Sequence, residues 1–543
     1  MWRRLPAPEP EQSPGIGAGG ESPPALFFAR DRSIRVQSAL DSRRFRSTWS
    51  GPALARFSSA LRFALVAPLG ITGIAQAQQA GMPEPLLPPP VQQTAPMPPV
   101  ARAQPLPALS PAQAADLQQR LTEGGYTQGL RYLPVPEHAP LDNDTLVRAA
   151  LDYARAVHSG RLAAEDFKKD WGLRPAAYDP LPAFADAVRR DQIASWFVNL
   201  PPPYAGYDSL QAGLMRYRAI AEAGGWKPLT PGADMELGAK GKAVAELRER
   251  LSVEDPDVIA TGDSFDAELK EAVVRAQRRY GLNPAGLVGP QTRAALNVPV
   301  ERRVRQIMAN LERWRWLPAE LDTNRIQVNI AAAVLTVFEG DRPVMSMKGV
   351  TGRPGDETPM LQSAVHSIVI NPPWNVPAGI AKRELFPKGA AYLKANGFRV
   401  IGEGDGARLQ QAAGPQSALG RFKFDFDNPY AVYLHDTPSQ STFSRYDRLA
   451  SHGCVRVERP ADLAQLLLRD DPAWGADAIQ AAVDTGKTQR VKLPEPATVY
   501  LLYWTAYASA DGTMNFRADP YDWDSQLAEK IERRSAIEEV AAR

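Results

Sequence analysis

Arg325-Ile326-Gln327-Val328-Asn329-Ile330 alternates apolar and polar residues, directly after a helical stretch that Pro318 closes. A period of two is the signature of a half-buried strand. Strand patterns follow at 333–338, 363–370, 421–426 and 432–435, with few long helices between them. Residues 324–490 therefore read as a mostly antiparallel sheet domain. Residues 378–420 interrupt it with a helical stretch, 381–396, and a glycine-rich loop, 402–406. An insertion of this kind beside an active site reads as a lid. In the C-terminal segment, 491–543, residues 497–508 and 513–517 flank Asp511-Gly512 and read as a closing hairpin and tail.

Upstream, the period is helical. Val300, Val304, Ile307, Leu311 and Trp314 share one face of a connecting helix within 299–323. Residues 236–298 carry Gly238, Gly241, Val244, Leu247 and Leu251, then Phe265-Asp266, then Ala272, Val273, Ala276 and Gln277. They end on Tyr280-Gly281-Leu282, Gly286, Gly289, Thr292 and Leu296-Asn297. This reads as three short helices joined by glycine turns. Residues 114–235 read as a helical scaffold. Leu146, Ala150, Tyr153 and Val157 follow a cap at Asn143 or Asp144. Leu210, Leu214, Tyr217 and Ala221 line a second helix that Gly224-Gly225 stops. Residues 78–113 are crowded with proline and read as an extended spacer.

The length of 543 residues implies three or four domains. Hydrophobic residues at 44% and charged residues at 23% are ordinary for globular protein. A net charge of +2 without a basic run points away from nucleic acid. The first 60 residues, rich in Pro, Gly, Ser and Arg, carry no apolar periodicity. Arg56 and Arg62 then precede an apolar run, 63–75, that ends in Ala75-Gln76-Ala77. The run is shorter than the roughly 20 residues a membrane helix needs. It reads as a secretory signal cut after Ala77, so that 1–77 is an extension plus signal and the mature chain is periplasmic. The competing reading is an uncleaved anchor that tethers the protein. So deep a signal also suggests a translation start downstream of Met1.

Chemistry gathers at one place. Ser451-His452-Gly453-Cys454-Val455-Arg456 holds the chain's single cysteine, so no intrachain disulfide forms. His435, in Leu434-His435-Asp436-Thr437-Pro438, lies 19 positions before Cys454. A thiol needs a neighbouring imidazole to take its proton, and that imidazole can later protonate a departing amine. A third group must fix the imidazole tautomer, and Asp436, by side chain or backbone, is nearest in sequence. Gly453 allows close backbone approach, and the Gly453 and Cys454 amides suit an oxyanion hole. Two competing readings are an inert buried cysteine with structural histidines, and a Cys/His/His zinc site. The second lacks the paired close ligands that such sites use.

The run from His435 to Cys454, with 15 residues between His435 and Ser451, resembles the L,D-transpeptidase signature. Gly352-Arg353-Pro354 with Thr358-Pro359, the run 371–377, and Gly420-Arg421-Phe422-Lys423 look like the large periplasmic members of that family. Residues 236–298 similarly resemble a peptidoglycan-binding domain. They depart from it at Ala276, where an aromatic residue is usual, which leaves a purely structural role open. The resemblance covers roughly residues 114–530. It implies a multidomain α+β protein: helical scaffold, three-helix wall-binding unit, and antiparallel catalytic sheet with a lid. Cys454 would be the nucleophile, His435 the base and His452 a residue lining the site. Ser451, Arg456, Trp374, Asn375 and Arg421 would meet substrate.

The implied reaction forms 3→3 diaminopimelate cross-links in peptidoglycan through a cysteine thioester. Tetrapeptide stems donate, a second diaminopimelate accepts, and no metal or cofactor takes part. Other cell-wall enzymes are the expected protein partners. The same nucleophile with water as acceptor makes a carboxypeptidase or cross-link hydrolase, and with a lysine a protein–wall ligase. A non-catalytic wall-binding protein is the alternative outside enzymology.

Overall fold

The structure, a computed structural model, describes residues 105–130 and 141–542. The expected export signal and most of the proline-rich segment lie outside the described residues. Helix α1 (Pro111–Thr127) begins inside the stretch read as spacer. Ser110 and Gln113 form a capping box there, and Pro111 sits where its missing N–H is harmless. Helix α2 (Asn143–Ser159) is capped by Asp142, not by Asn143 or Asp144, through a 3.0 Å bond from Thr145 N. Asn143 instead accepts from Leu109 N at 2.9 Å.

Helices α3 (Leu181–Arg189) and α4 (Ile193–Val198) close a separate core with α1 and α2, around Leu117, Leu121, Val147, Tyr153 and Phe184. Helix α5 (Ala205–Glu222) stands outside that core. Its Leu210, Leu214 and Tyr217 join the main core. Helices α6 (Lys242–Ser252), α7 (Ala267–Arg279) and α8 (Pro290–Leu296) form the compact three-helix unit. Gln277 is buried in it. It donates to Leu287 O at 2.8 Å and accepts from Gly286 N at 2.9 Å, fastening the glycine turn to α7.

Helix α9 (Val300–Trp314) joins these parts. Glu312 accepts from the Arg161 and Leu162 amides at 2.6 and 3.1 Å. Asn310 and Thr505 bond each other twice, at 2.7 and 3.0 Å. Arg313 meets Asp524 at 2.5 Å, both almost fully buried, and Trp314 stacks on Trp504 with centroids 4.7 Å apart.

The sheet domain comprises β1 (Asn324–Asn329), β2 (Val334–Glu339), β3 (Arg342–Gly352), β4 (Leu361–Ile370), β5 (Trp374–Val376), β6 (Phe398–Ile401) and β7 (Arg408–Gln411). It continues with β8 (Phe422–Phe426), β9 (Leu434–His435), β10 (Leu449–Ser451), β11 (Val455–Val457) and β12 (Gln489–Leu502). The main sheet has nine strands in the order β10-β3-β11-β9-β8-β4-β12-β1-β2, and a further pairing of β2 with β3 closes it into a ring. Six of its nine pairings are antiparallel; β1–β12, β9–β11 and β3–β10 are parallel.

No strand is expected at 342–352, where Pro343, Lys348 and Gly349 hide the alternation, yet β3 forms there. Residues 497–502, read as half of a closing hairpin, belong instead to β12, between β1 and β4. The sheet therefore runs past residue 490. The hairpin is only β13 (Ala506–Ala508) with β14 (Met514–Phe516).

The insertion expected to act as a lid carries helical turns α10 (Ala378–Ile380) and α11 (Gly389–Ala395), with a π-helical turn, Ala381–Leu385, between them. It has its own sheet, β5-β7-β6, and its own small core of Val376, Ala381, Leu385, Leu393 and Leu409. Helices α12 (Pro460–Leu468), α13 (Ala476–Asp484) and α14 (Trp523–Ala542) complete the fold.

Removing one member of a buried pair leaves an uncompensated charge. Arg313→Ala is expected to cost about 3–5 kcal/mol in chemical denaturation, with most of it recovered in Arg313→Met/Asp524→Leu. A loss below about 1 kcal/mol would show that the pair is solvated.

Candidate active site

Strands β9 and β11 run parallel, with Val455 opposite Leu434 and Arg456 opposite His435. Side chains alternate along a strand. His435 and Tyr433 therefore share a face with Arg456 and Cys454. The antiparallel partner β8 places Lys423 opposite His435, on the same face. Five functional side chains from three chain segments thus meet on one patch.

His435 is 5% exposed. Its Nδ1 lies 2.5 Å from Asp436 O. A carbonyl only accepts, so Nδ1 carries the hydrogen and Nε2 is left as the bare, basic nitrogen. The orienting group is thus the Asp436 main chain. The Asp436 carboxylate faces the other way and accepts from Arg421 N at 2.7 Å and Thr437 N at 2.6 Å. Gly420, at φ +59°, is needed at this spot, because a Cβ there would overlap the Asp436 carboxylate.

Burial, helped by the Arg456 and Lys423 charges, pushes His435 down to about 3, against the lone bond to Asp436. Cys454 keeps a partly exposed surface, yet close packing around its sulfur pushes the thiol up to about 11. The Tyr433 backbone and phenol, Lys423 and Arg456 oppose that rise. At neutral pH the resting pair is therefore a neutral thiol and a neutral imidazole.

Hydroxyls hold the nucleophile loop. Ser451 Oγ donates to Cys454 O at 2.5 Å and accepts from Gly453 N at 3.2 Å. Thr358 Oγ1 donates to Gly453 O at 2.8 Å and accepts from Gly352 N at 2.8 Å. Tyr521 Oη donates to Gly352 O at 2.5 Å. Gly453 at φ +107° makes the turn possible. The Gly453 amide is thus turned to Ser451 rather than to an oxyanion position. Among the described residues nothing accepts from the Cys454 amide.

The expected substrate residues divide. Arg456 lies on the Cys454 face, with its Nε buried and without a partner among the described residues. Trp374 reaches the Tyr433 hydroxyl and so borders the site. Ser451 is 2% exposed and binds its own loop. Asn375 accepts from Gln410 of the lid sheet at 2.6 Å. Arg421 donates to Asn371 at 3.1 Å. The last three are turned to structural bonds because their best partners lie within the fold. His452 lines the loop and meets lid residue Glu384 at 2.8 Å.

Tyr433 and Lys423 also border the site, though motif reading gives Lys423 no role and does not include Tyr433. Tyr433 sits edge-on to His435, with centroids 5.6 Å apart, and Lys423 Nζ lies 4.3 Å from the Tyr433 ring centre. Strand alternation back from His435 is the signal that finds Tyr433. Among the described residues no group of three or more His, Cys, Asp or Glu is placed to hold a metal.

Fold and site together define a closed-sheet domain built around a cysteine–histidine face. Residues 323–474 match the L,D-transpeptidase catalytic domain. Residues 108–214 match a scaffold domain and 240–296 a "Putative peptidoglycan binding domain". Helix α9 lies between the matched segments. A Haemophilus influenzae protein described as "Putative L,D-transpeptidase" is 30% identical over 248 residues, 42% of this chain. The chain spans about half of that relative, 50% of its length. Among solved structures, the L,D-transpeptidase of Xylanimonas cellulosilytica is 19% identical, with 50% of this chain and 100% of that chain covered, at a TM-score of 0.18. That of Stackebrandtia nassauensis is 14% identical, with 50% and 97% covered, at 0.21. Scores this low carry no argument.

The pair's neutrality has a pH signature. An unfolded imidazole titrates near about 6.5, whereas folded His435 titrates at about 3. Between the two, the unfolded chain binds the extra proton. Stability from neutral His435 is full above the unfolded value and is lost as pH falls towards the folded one. Denaturation curves are expected to show wild type losing up to about 1.4 kcal/mol per pH unit more than His435→Gln below about pH 6. Parallel pH dependences would mean that His435 is not held neutral.

Proposed function

We propose that the chain is a peptidoglycan L,D-transpeptidase that works through a thioester at Cys454. The observation that carries the reading is the shared face of Cys454 and His435, with the imidazole tautomer fixed by Asp436 O. The match at 323–474 supports the reaction class, and the match at 240–296 supports peptidoglycan as substrate.

The donor is a tetrapeptide stem. As its diaminopimelate carbonyl approaches, His435 Nε2 takes the thiol proton and Sγ bonds to the carbonyl carbon. The amide C–N bond breaks, and the departing D-alanine amine leaves with the proton from His435. A second diaminopimelate amine, deprotonated by the same nitrogen, attacks the thioester and forms the 3→3 amide. The thiol recovers its proton. Starting from a neutral pair means that charge appears only during reaction, where the Cys454 amide and the Lys423 and Arg456 cations can meet it. The lid supports amine over water by covering this face. Action in the periplasm is part of the proposal and rests on the apolar run 63–75 with its Ala-Gln-Ala end.

Incubation with tetrapeptide muropeptides and mass analysis of the products tests this. Cross-linked dimers with free D-alanine are expected. Tripeptides alone would assign the hydrolytic reaction instead, and no product would sink catalysis on stems altogether. Cys454→Ala is expected to abolish turnover while unfolding at the wild-type temperature. His435→Ala is expected to lose about 10²–10⁴-fold, the usual contribution of a positioned base.

A further inference from the structure

The lid touches the nucleophile loop through one carboxylate. Glu384, on the lid's π-helical turn, accepts at Oε1 from His452 Nε2 at 2.8 Å and from Arg353 Nη2 at 3.1 Å. The two donors come from different parts of the sheet domain. His452 precedes Gly453-Cys454, and Arg353 follows β3 and donates its backbone N–H to Ser451 O at 3.0 Å. Two donors fixed to the nucleophile loop thus converge on a single oxygen that belongs to the insertion. All three side chains are reachable from solvent, at 45% exposure for Arg353, 34% for Glu384 and 25% for His452.

The surrounding charges show what would remain without Glu384. Arg353 keeps Asp356, at 2.9 Å from its Nε and 2.8 Å from the Nη2 that also meets Glu384, and Asp356 also binds Arg383 at 3.1 Å. Arg383 adjoins Glu384 in the lid, 4.0 Å away across their charged groups. Withdrawal of Glu384 leaves one guanidinium N–H and one imidazole N–H aimed at a common point. That pair of donors suits a carboxylate and offers nothing to an amine. The point lies beside His452, two positions before Cys454, and so at the border of the nucleophile loop.

We propose that Arg353 and His452 form a subsite for the terminal carboxylate of the donor's leaving residue, and that Glu384 is a built-in occupant which the substrate displaces. The assignment rests on the reading that a tetrapeptide stem is the donor. In such a stem the terminal D-alanine carboxylate is about 4 Å from the scissile carbonyl carbon, three bonds away. The other diaminopimelate carboxylate is several bonds further off. Because Glu384 competes for the subsite, wild-type affinity understates what Arg353 and His452 can bind.

The test is calorimetric titration of full-length Cys454→Ala with three stems: the free acid, the terminal amide, and the diaminopimelate side-chain amide. The free acid is expected to bind about tenfold more tightly than the terminal amide, the worth of a charge-assisted hydrogen bond. Adding Glu384→Gln is expected to widen that ratio about a further tenfold, and adding Arg353→Gln to bring it near one. A ratio of affinities does not depend on the folded fraction, so partial misfolding cannot imitate either result. A parent ratio near one, a ratio narrowed by Glu384→Gln, or discrimination that follows the side-chain amide would each overturn the subsite while leaving stem binding intact. Failure of all three stems to bind would remove the donor reading and the subsite with it.

Discussion

The site depends on the register between two short parallel strands. β9 and β11 share only a few residues, yet their pairing fixes which face Cys454 and His435 occupy. A slip of one residue would turn one of them to the opposite side of the sheet. The neighbours remove that freedom. β8 pins His435 opposite Lys423, and β3 pins Arg456 opposite Val350. The hydroxyls of Ser451, Thr358 and Tyr521 then fix the turn that leads into β11. The shared face is a by-product of sheet geometry that many weak bonds over-determine.

That geometry also explains why the resting site is uncharged. Both reacting groups sit on a densely packed face, where ionisation is costly. Lys423 and Arg456 are held nearby, and they favour a thiolate but disfavour an imidazolium. The same two cations therefore push both members towards their deprotonated forms. A transferred proton is stable only when something else balances it, and an incoming acyl group is the natural candidate.

Much of this was legible in the chain itself. A single cysteine beside one histidine and 19 positions from another is chemically conspicuous, and alternation at 325–330 announces the sheet. What stayed hidden was partnership. The alternation of 497–502 marks a strand but not its neighbours, so the sequence alone suggests half of a hairpin where the strand lies between β1 and β4. Motif membership likewise does not reveal where a side chain points. Ser451, Asn375 and Arg421 sit in or beside the motif yet bond inward. Thr358 reaches the loop from 95 positions away, and Tyr521 braces Gly352 from 169, separations that no local pattern encodes. Tyr433 was within reach of the simplest rule, since every second residue of a strand shares a face.

Helix α9 joins regions that would otherwise look independent. Its Glu312 holds the 161–162 turn, its Asn310 and Arg313 hold the C-terminal segment, and its Trp314 stacks on the end of the sheet. These bonds are buried and specific to their partners. The chain therefore resembles a sentence whose clauses share one verb. None of these bonds belongs to the three-helix unit, so that unit is exchangeable only if α9 is kept or matched. A replacement would have to arrive with a helix that already fits Thr505, Asp524 and Trp504, or else inherit this one unchanged. Evolutionary exchange of the parts is accordingly constrained at the joint, well away from the thiol.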